Sequence, residues 1–134
     1  MHDDGAEDGP QEFRPASRGV WWGLVAIVLT AGAGSQWWVH RQEQQTGSEL
    51  AALARPGDIR MLSSETCTYC AQARAWMSGQ HVAFTECVIE RDAECAARYR
   101  ASMMSGTPVV VVRGQAQLGF DPGRVLQRLR PTPG

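Results

Sequence analysis

Between Gly19 and Val39 the chain carries no charged residue, and this stretch limits the fold more than any other. At about 1.5 Å of rise per residue, a helix over it matches a hydrocarbon core about 30 Å thick. Trp21-Trp22 and Trp37-Trp38 lie near its two ends, where indole rings settle at the level of lipid headgroups. A cleavable leader is the competing reading, because Ala31-Gly32-Ala33 follows the apolar run Leu24 to Leu29 as a cleavage site would. The segment ahead of it is long and acidic (Asp3, Asp4, Glu7, Asp8) rather than short and basic, and paired tryptophans have no use in a released linker. The expectation is a retained transmembrane helix over residues 19–39.

The flanks are polar. Residues 1–18 are broken by Pro10 and Pro15 and cannot bury enough apolar surface to order themselves, so they are expected as a disordered acidic tail. Residues 40–57 are expected as a polar, partly helical spacer, with Glu49 to Ala54 favouring helix and Pro56-Gly57 ending it. Arg14 and Arg18 stand before the apolar stretch and His40 and Arg41 after it. This balance leans towards an N-terminus inside, which puts the C-terminal part on the outer face of a bacterial inner membrane. A net charge of -1 and a pI near 6.3 give no basic footprint, so nucleic acid is not expected as a partner. Every cation is arginine, none lysine, which we read as coding bias.

From Asp58 onward the pattern reads as strand Ile59 to Leu62, helix Tyr69 to Met77, strand Val82 to Ile89, helix Asp92 to Met103, strand Val109 to Arg113, strand Gln115 to Leu118 and helix Pro122 to Arg130. Arg113-Gly114 suits a tight hairpin, and the first strands alternate with helices as parallel units do. A mixed four-stranded sheet covered by helices is the economical packing for this βαβαββα order. Cys67-Thr68-Tyr69-Cys70 falls where the first strand gives way to the first helix. A helix N-terminus favours a thiolate at the first cysteine, and the second, a turn later, can reach back to it. That is the arrangement disulfide exchange requires. Pro108 opens the run Val109 to Val112, a place no ordinary central strand tolerates, so it is expected to be positional and a candidate for a cis bond.

With C-x-x-C opening the first helix and Thr107-Pro108 opening the third strand, the domain expected over residues 58–134 resembles, from about Asp58 to Arg130, the glutaredoxin family of the thioredoxin-like fold. Cys67-Thr68-Tyr69-Cys70 is similar to the family's Cys-Pro-Tyr-Cys, and Gly119-Phe120-Asp121 to the glycine-containing turn before its last helix. The resemblance implies a thiol–disulfide oxidoreductase acting on protein or low-molecular-weight thiols and disulfides. Cys67 would be the nucleophile, Cys70 the resolving thiol, and Tyr69, Thr107, Pro108, Gly119 and Asp121 the substrate groove. No cofactor is required by this reading, and glutathione is a candidate co-substrate. Where many members have a lysine before the first cysteine, this chain has Ser63, Ser64, Glu65 and Thr66; where the last turn usually has Gly-Gly, it has Gly119-Phe120. Arg74 and Arg113 are the arginines considered as replacement carboxylate contacts.

Other readings belong beside this one. Cys87 and Cys95 are expected first as core packing, with a second disulfide between them as the sharper idea. The four cysteines do not have the spacing of a zinc set, and no metal ligands are assigned. Asp121 is explained as well by capping a helix that starts at Pro122. Trp76, Met103 and Met104 are expected as packing residues. The rival functions are a tethered iron–sulfur or metal carrier and a non-catalytic module that binds thiol peptides.

Overall fold

The computed structural model describes residues 17–131. The expected acidic tail lies outside the described residues as far as residue 16. The chain divides into two compact units, Met1–Trp38 and Val39–Gly134. Helix α1 (Arg18–Leu53) contributes to both.

In the first unit α1 is long and apolar enough to cross a membrane, and its side chains are uncovered, with Trp22 74% exposed. Thr30 Oγ1 donates to the Ala26 carbonyl at 2.9 Å and Ser35 Oγ to the Gly32 carbonyl at 2.9 Å. The few hydroxyls are thus satisfied by their own helix, which a lipid environment demands.

In the second unit α1 does not stop at the membrane-length stretch. Residues 40–57, expected as a spacer, are helical through Leu53, and Gly47, Leu50 and Ala54 are buried. These three recur at helical spacing on one face. Burial of the Leu50 side chain alone contributes about 1.5–3 kcal/mol. Pro56 prevents the helix from continuing, and Asp58 accepts a hydrogen bond from the Arg55 N–H at 3.0 Å.

There follow β1 (Ile59–Ser63), α2 (Thr68–Gly79), β2 (Thr85–Val88), α3 (Ala93–Ser102), β3 (Val109–Val112), β4 (Gln115–Leu118) and α4 (Pro122–Leu129). The sheet order is β2-β1-β3-β4, with β1 parallel to β2 and antiparallel to β3, and β3 antiparallel to β4. This is the mixed four-stranded thioredoxin-like fold. Alternation along each strand builds two cores. Ile59, Met61, Val110 and Val112 face Ala73, Met77, Val125, Leu129 and Leu50, while Leu62 and Val109 face Cys95 with Cys87, Tyr99 and Met104 beside them. Arg113 (φ 47°) and Gly114 (φ 86°) form the two-residue β3–β4 turn, whose positive angles match the twist of a hairpin.

β2 is shorter than the apolar run Val82 to Ile89 suggests. His81 takes a left-handed conformation (φ 57°), its N–H bonds the Ser78 carbonyl at 3.1 Å, and the Val82 N–H bonds the Met77 carbonyl at 2.9 Å. That is a Schellman termination of α2, closed by core contact of Val82 with Met77. Residues spent on ending a helix are not available to the strand.

Candidate functional site

β1 delivers the chain to a short turn, and Cys67 caps α2 in extended conformation. The Cys70 N–H donates to Cys67 Sγ at 3.1 Å, and the Cys67 N–H donates to the Ser64 carbonyl at 3.3 Å. The two sulfurs are bonded, with Cα atoms 5.2 Å apart. Cys67 is half-buried and Cys70 fully buried. An incoming group can reach the first sulfur and not the second, which divides the roles of attacking and resolving thiol. At the helix N-terminus the unpaired N–H groups favour negative charge on Cys67 when the bond opens.

The turn before Cys67 is fixed from the β2–α3 loop. Ser64 Oγ donates to Glu90, the Glu65 N–H donates to Glu90 Oε2 at 3.3 Å, and Arg91 pairs with Glu65 at 2.6 Å. The Ser64 hydroxyl holds the Glu90 carboxyl below its ordinary range. Glu65, which would oppose an anionic ligand, is matched by Arg91.

The Thr107–Pro108 bond is cis. The Pro108 carbonyl accepts from the Gly119 N–H at 2.8 Å, and Tyr99 Oη accepts from the Gly106 N–H at 3.0 Å. The proline loop is therefore tied both to the last turn and to α3. Gly119 has φ 77°, a left-handed value that suits glycine.

A groove of about 550 Å³ runs beside the dithiol. Tyr69, Thr107, Pro108 and Gly119 line it, together with Gln72, Ala73, Trp76, Leu118, Phe120 and Glu43. Tyr69 is 71% exposed at its mouth. Asp121 is not among the lining residues. Its Oδ1 accepts from the Arg124 N–H at 3.0 Å and its carboxylate lies 3.7 Å from the Arg124 guanidinium, so capping of α4 accounts for it. Trp76, read from sequence as packing, packs against the core and also walls the groove, its ring 5.4 Å from that of Phe120. The signal was present: Tyr69, Gln72, Ala73 and Trp76 recur at i, i+3, i+4 and i+7 on one face of α2.

Neither arginine considered for a carboxylate contact lines the groove. Arg74 makes two 2.6 Å bonds to Glu86, which hold the Glu86 carboxyl below its ordinary range. Arg113 bonds Asp58 at 3.3 Å and the Leu129 carbonyl at 3.0 Å. Cys87 and Cys95 are joined by a second disulfide, Cα atoms 6.0 Å apart. The Asp92 side chain caps α3 and bonds the Cys95 N–H at 3.1 Å, which sets that cysteine against β2. Among the described residues no group of three or more His, Cys, Asp or Glu is arranged to hold a metal ion.

Residues 59–116 match the family model described as Glutaredoxin. Similar solved structures include a mutant of the thioredoxin-like protein BC3987, 24% identical over 55% of this chain and 95% of that one, with a TM-score of 0.49. The glutaredoxin-like protein NrdH-redoxin from Escherichia coli is 27% identical over 56% of this chain and 97% of that one, TM-score 0.47. A glutaredoxin from Archaeoglobus fulgidus is 20% identical over 55% of this chain and 87% of that one, TM-score 0.45. No curated protein matches the sequence. With C-x-x-C capping α2 and the matched residues forming the sheet around it, the chain carries a glutaredoxin-family domain whose Cys67–Cys70 pair is a thiol–disulfide oxidoreductase centre.

Proposed function

We propose that the protein works as a single-pass, membrane-anchored dithiol oxidoreductase on the outer face of a bacterial inner membrane, exchanging disulfides with protein substrates. The observation that carries the dithiol reading is the asymmetry of the pair: Cys67 half-buried at a helix N-terminus, Cys70 buried one turn on. In the reducing direction Cys67 thiolate attacks one sulfur of a substrate disulfide and releases the other as thiolate. The deprotonated Cys70 then attacks Cys67 Sγ, forms the Cys67–Cys70 bond and releases the second substrate thiolate. Two electrons pass to the substrate, and an external dithiol must return them. Run in reverse, the oxidised pair accepts two electrons from a substrate dithiol.

The anchor reading is supported by the uncharged span with its paired tryptophans and self-satisfied hydroxyls. The outer face is supported by the Cys87–Cys95 disulfide, which lies outside the active pair, since structural disulfides persist in oxidising compartments. Glutathione is a poor fit to the groove, because Arg74 and Arg113 are engaged elsewhere and Glu43 is acidic.

The test is a peptide-resolved thiol-alkylation titration of the full chain in non-ionic detergent across defined thiol–disulfide buffers. A reversible two-electron couple at Cys67/Cys70 is expected. A potential near about -200 mV or lower makes the protein a reductant, and one near about -120 mV an oxidant. Thiols that stay inert across the series overturn the reading.

A further inference from the structure

The groove beside the dithiol is not built by the glutaredoxin-matched residues alone. Glu43 lines it and belongs to α1, outside residues 59–116. Its placement follows from the same helix face that docks into the core. Glu43, Gly47, Leu50 and Ala54 recur at i, i+4, i+7 and i+11. Gly47 lies so close to Gln80 that a Cβ there would come within 2.1 Å of its side-chain oxygen, and Leu50 is fully buried. Arg130 pairs with Glu49 at 2.8 Å on the same segment. One turn before these attachments, Glu43 is held at the groove rather than free to swing.

The charge it brings is uncompensated. Among the described residues Glu43 is the one acidic or basic side chain in the lining, and it forms no ion pair. Arg74 of α2 is paired with Glu86, Arg124 of α4 with Asp121, and Arg128 of α4 donates to the Gln115 carbonyl. Gln72 and Thr107 add neutral polar groups, and much of the remaining wall is apolar or aromatic, with Trp76 and Phe120 in ring contact and Leu118 half-exposed. A site with an aromatic wall and one negative rim charge selects by both features.

We propose, resting on the oxidoreductase reading above, that Glu43 is a specificity residue and that the substrate is a polypeptide segment whose cysteine is flanked by an apolar and a basic side chain. The apolar side chain lies against Trp76 and Phe120, and the basic one faces Glu43. Anionic thiols are disfavoured by the same carboxylate. An exposed charge of this kind shifts the ratio of rates for oppositely charged substrates by about five-fold.

The test uses the reduced full chain in non-ionic detergent and two symmetric peptide disulfides, acetyl-Arg-Leu-Cys-amide and acetyl-Glu-Leu-Cys-amide. The second-order rate of Cys67–Cys70 formation is read by acid quench and alkylation. The expected result is a preference for the arginine peptide of about five-fold, falling as salt is added. Glu43→Gln brings the ratio towards one and Glu43→Arg inverts it. Wild-type oxidation by neutral hydroxyethyl disulfide separates the two levels of the argument. If that reaction is absent, the oxidoreductase reading fails and takes the proposal with it. If it proceeds but Glu43→Gln leaves the peptide ratio unchanged, the specificity proposal alone is overturned.

Discussion

The backbone N–H of Cys70 points at Cys67 Sγ from 3.1 Å. The buried residue of the pair thus supplies, through its main chain, a hydrogen bond that stabilises charge on the exposed one. A charge-assisted bond of this type is about twice as strong as a neutral one. The attacking and resolving roles are therefore fixed by the first turn of one helix.

Cys67→Ser should reduce disulfide exchange to background, because the sulfur that substrate can reach is gone. Cys70→Ser should retain the first step and accumulate a mixed disulfide on Cys67. Mass spectrometry of acid-quenched mixtures separates the cases. A trapped adduct on Cys70 in Cys67→Ser would reverse the assignment.

The Cys87–Cys95 bond closes a short loop, with a sequence separation of 8. Loop-closure entropy predicts that Cys87→Ser/Cys95→Ser loses about 2–3 kcal/mol of stability. The drop should appear as a lower urea midpoint. Equal midpoints for the double variant and the oxidised wild type would count against a bond that constrains the unfolded chain.

Gln117 is buried on the core face of β4, and neither its amide nitrogen nor its oxygen has a hydrogen-bond partner among the described residues. Gln117→Met keeps the shape and removes the unsatisfied groups. It should raise stability by about 1–2 kcal/mol. A destabilised variant would mean that the amide is satisfied in solution.

Glu86 titrates below the ordinary glutamate value because two bonds from Arg74 favour its charged form, and Asp58 is lowered by its bond to Arg113. A carboxyl lowered in the folded state binds protons more readily when unfolded. Its stabilising effect is whole above the unfolded-state value, about 4.3 for glutamate, and is lost as pH falls through the folded value. Urea midpoints should fall with acidification below about pH 4.5, and less steeply in Glu86→Gln. Parallel acid limbs for the two proteins would remove Glu86 from the explanation.

Local chemistry made most of the architecture legible in the sequence. Arg113-Gly114 named its hairpin, Pro108 named a break in the strand pattern, and the Asp121-Pro122 start of α4 could be read as a cap before its geometry was known. β2 was overextended because Val82 continues an apolar run in sequence, whereas in space its N–H ends α2. Trp76 reads as packing because an isolated aromatic at helical spacing usually packs; its contact with Phe120, distant in sequence, makes it a wall of the groove as well. Glu43 carried no local signal. Its place at the groove depends on the seating of Gly47 and Leu50 against elements that come much later in the chain.

That seating also bears on proteolytic shedding. A protease that cut after Ala54 and before Ile59 would release a fragment without Leu50 and Ala54, two buried residues of the core that also holds Ile59, Val112 and Leu129. A viable soluble form has to begin above Glu43 if it is to keep both its core and its groove. The stretch expected from sequence as a polar spacer supplies part of the core, so a cut there damages the domain itself.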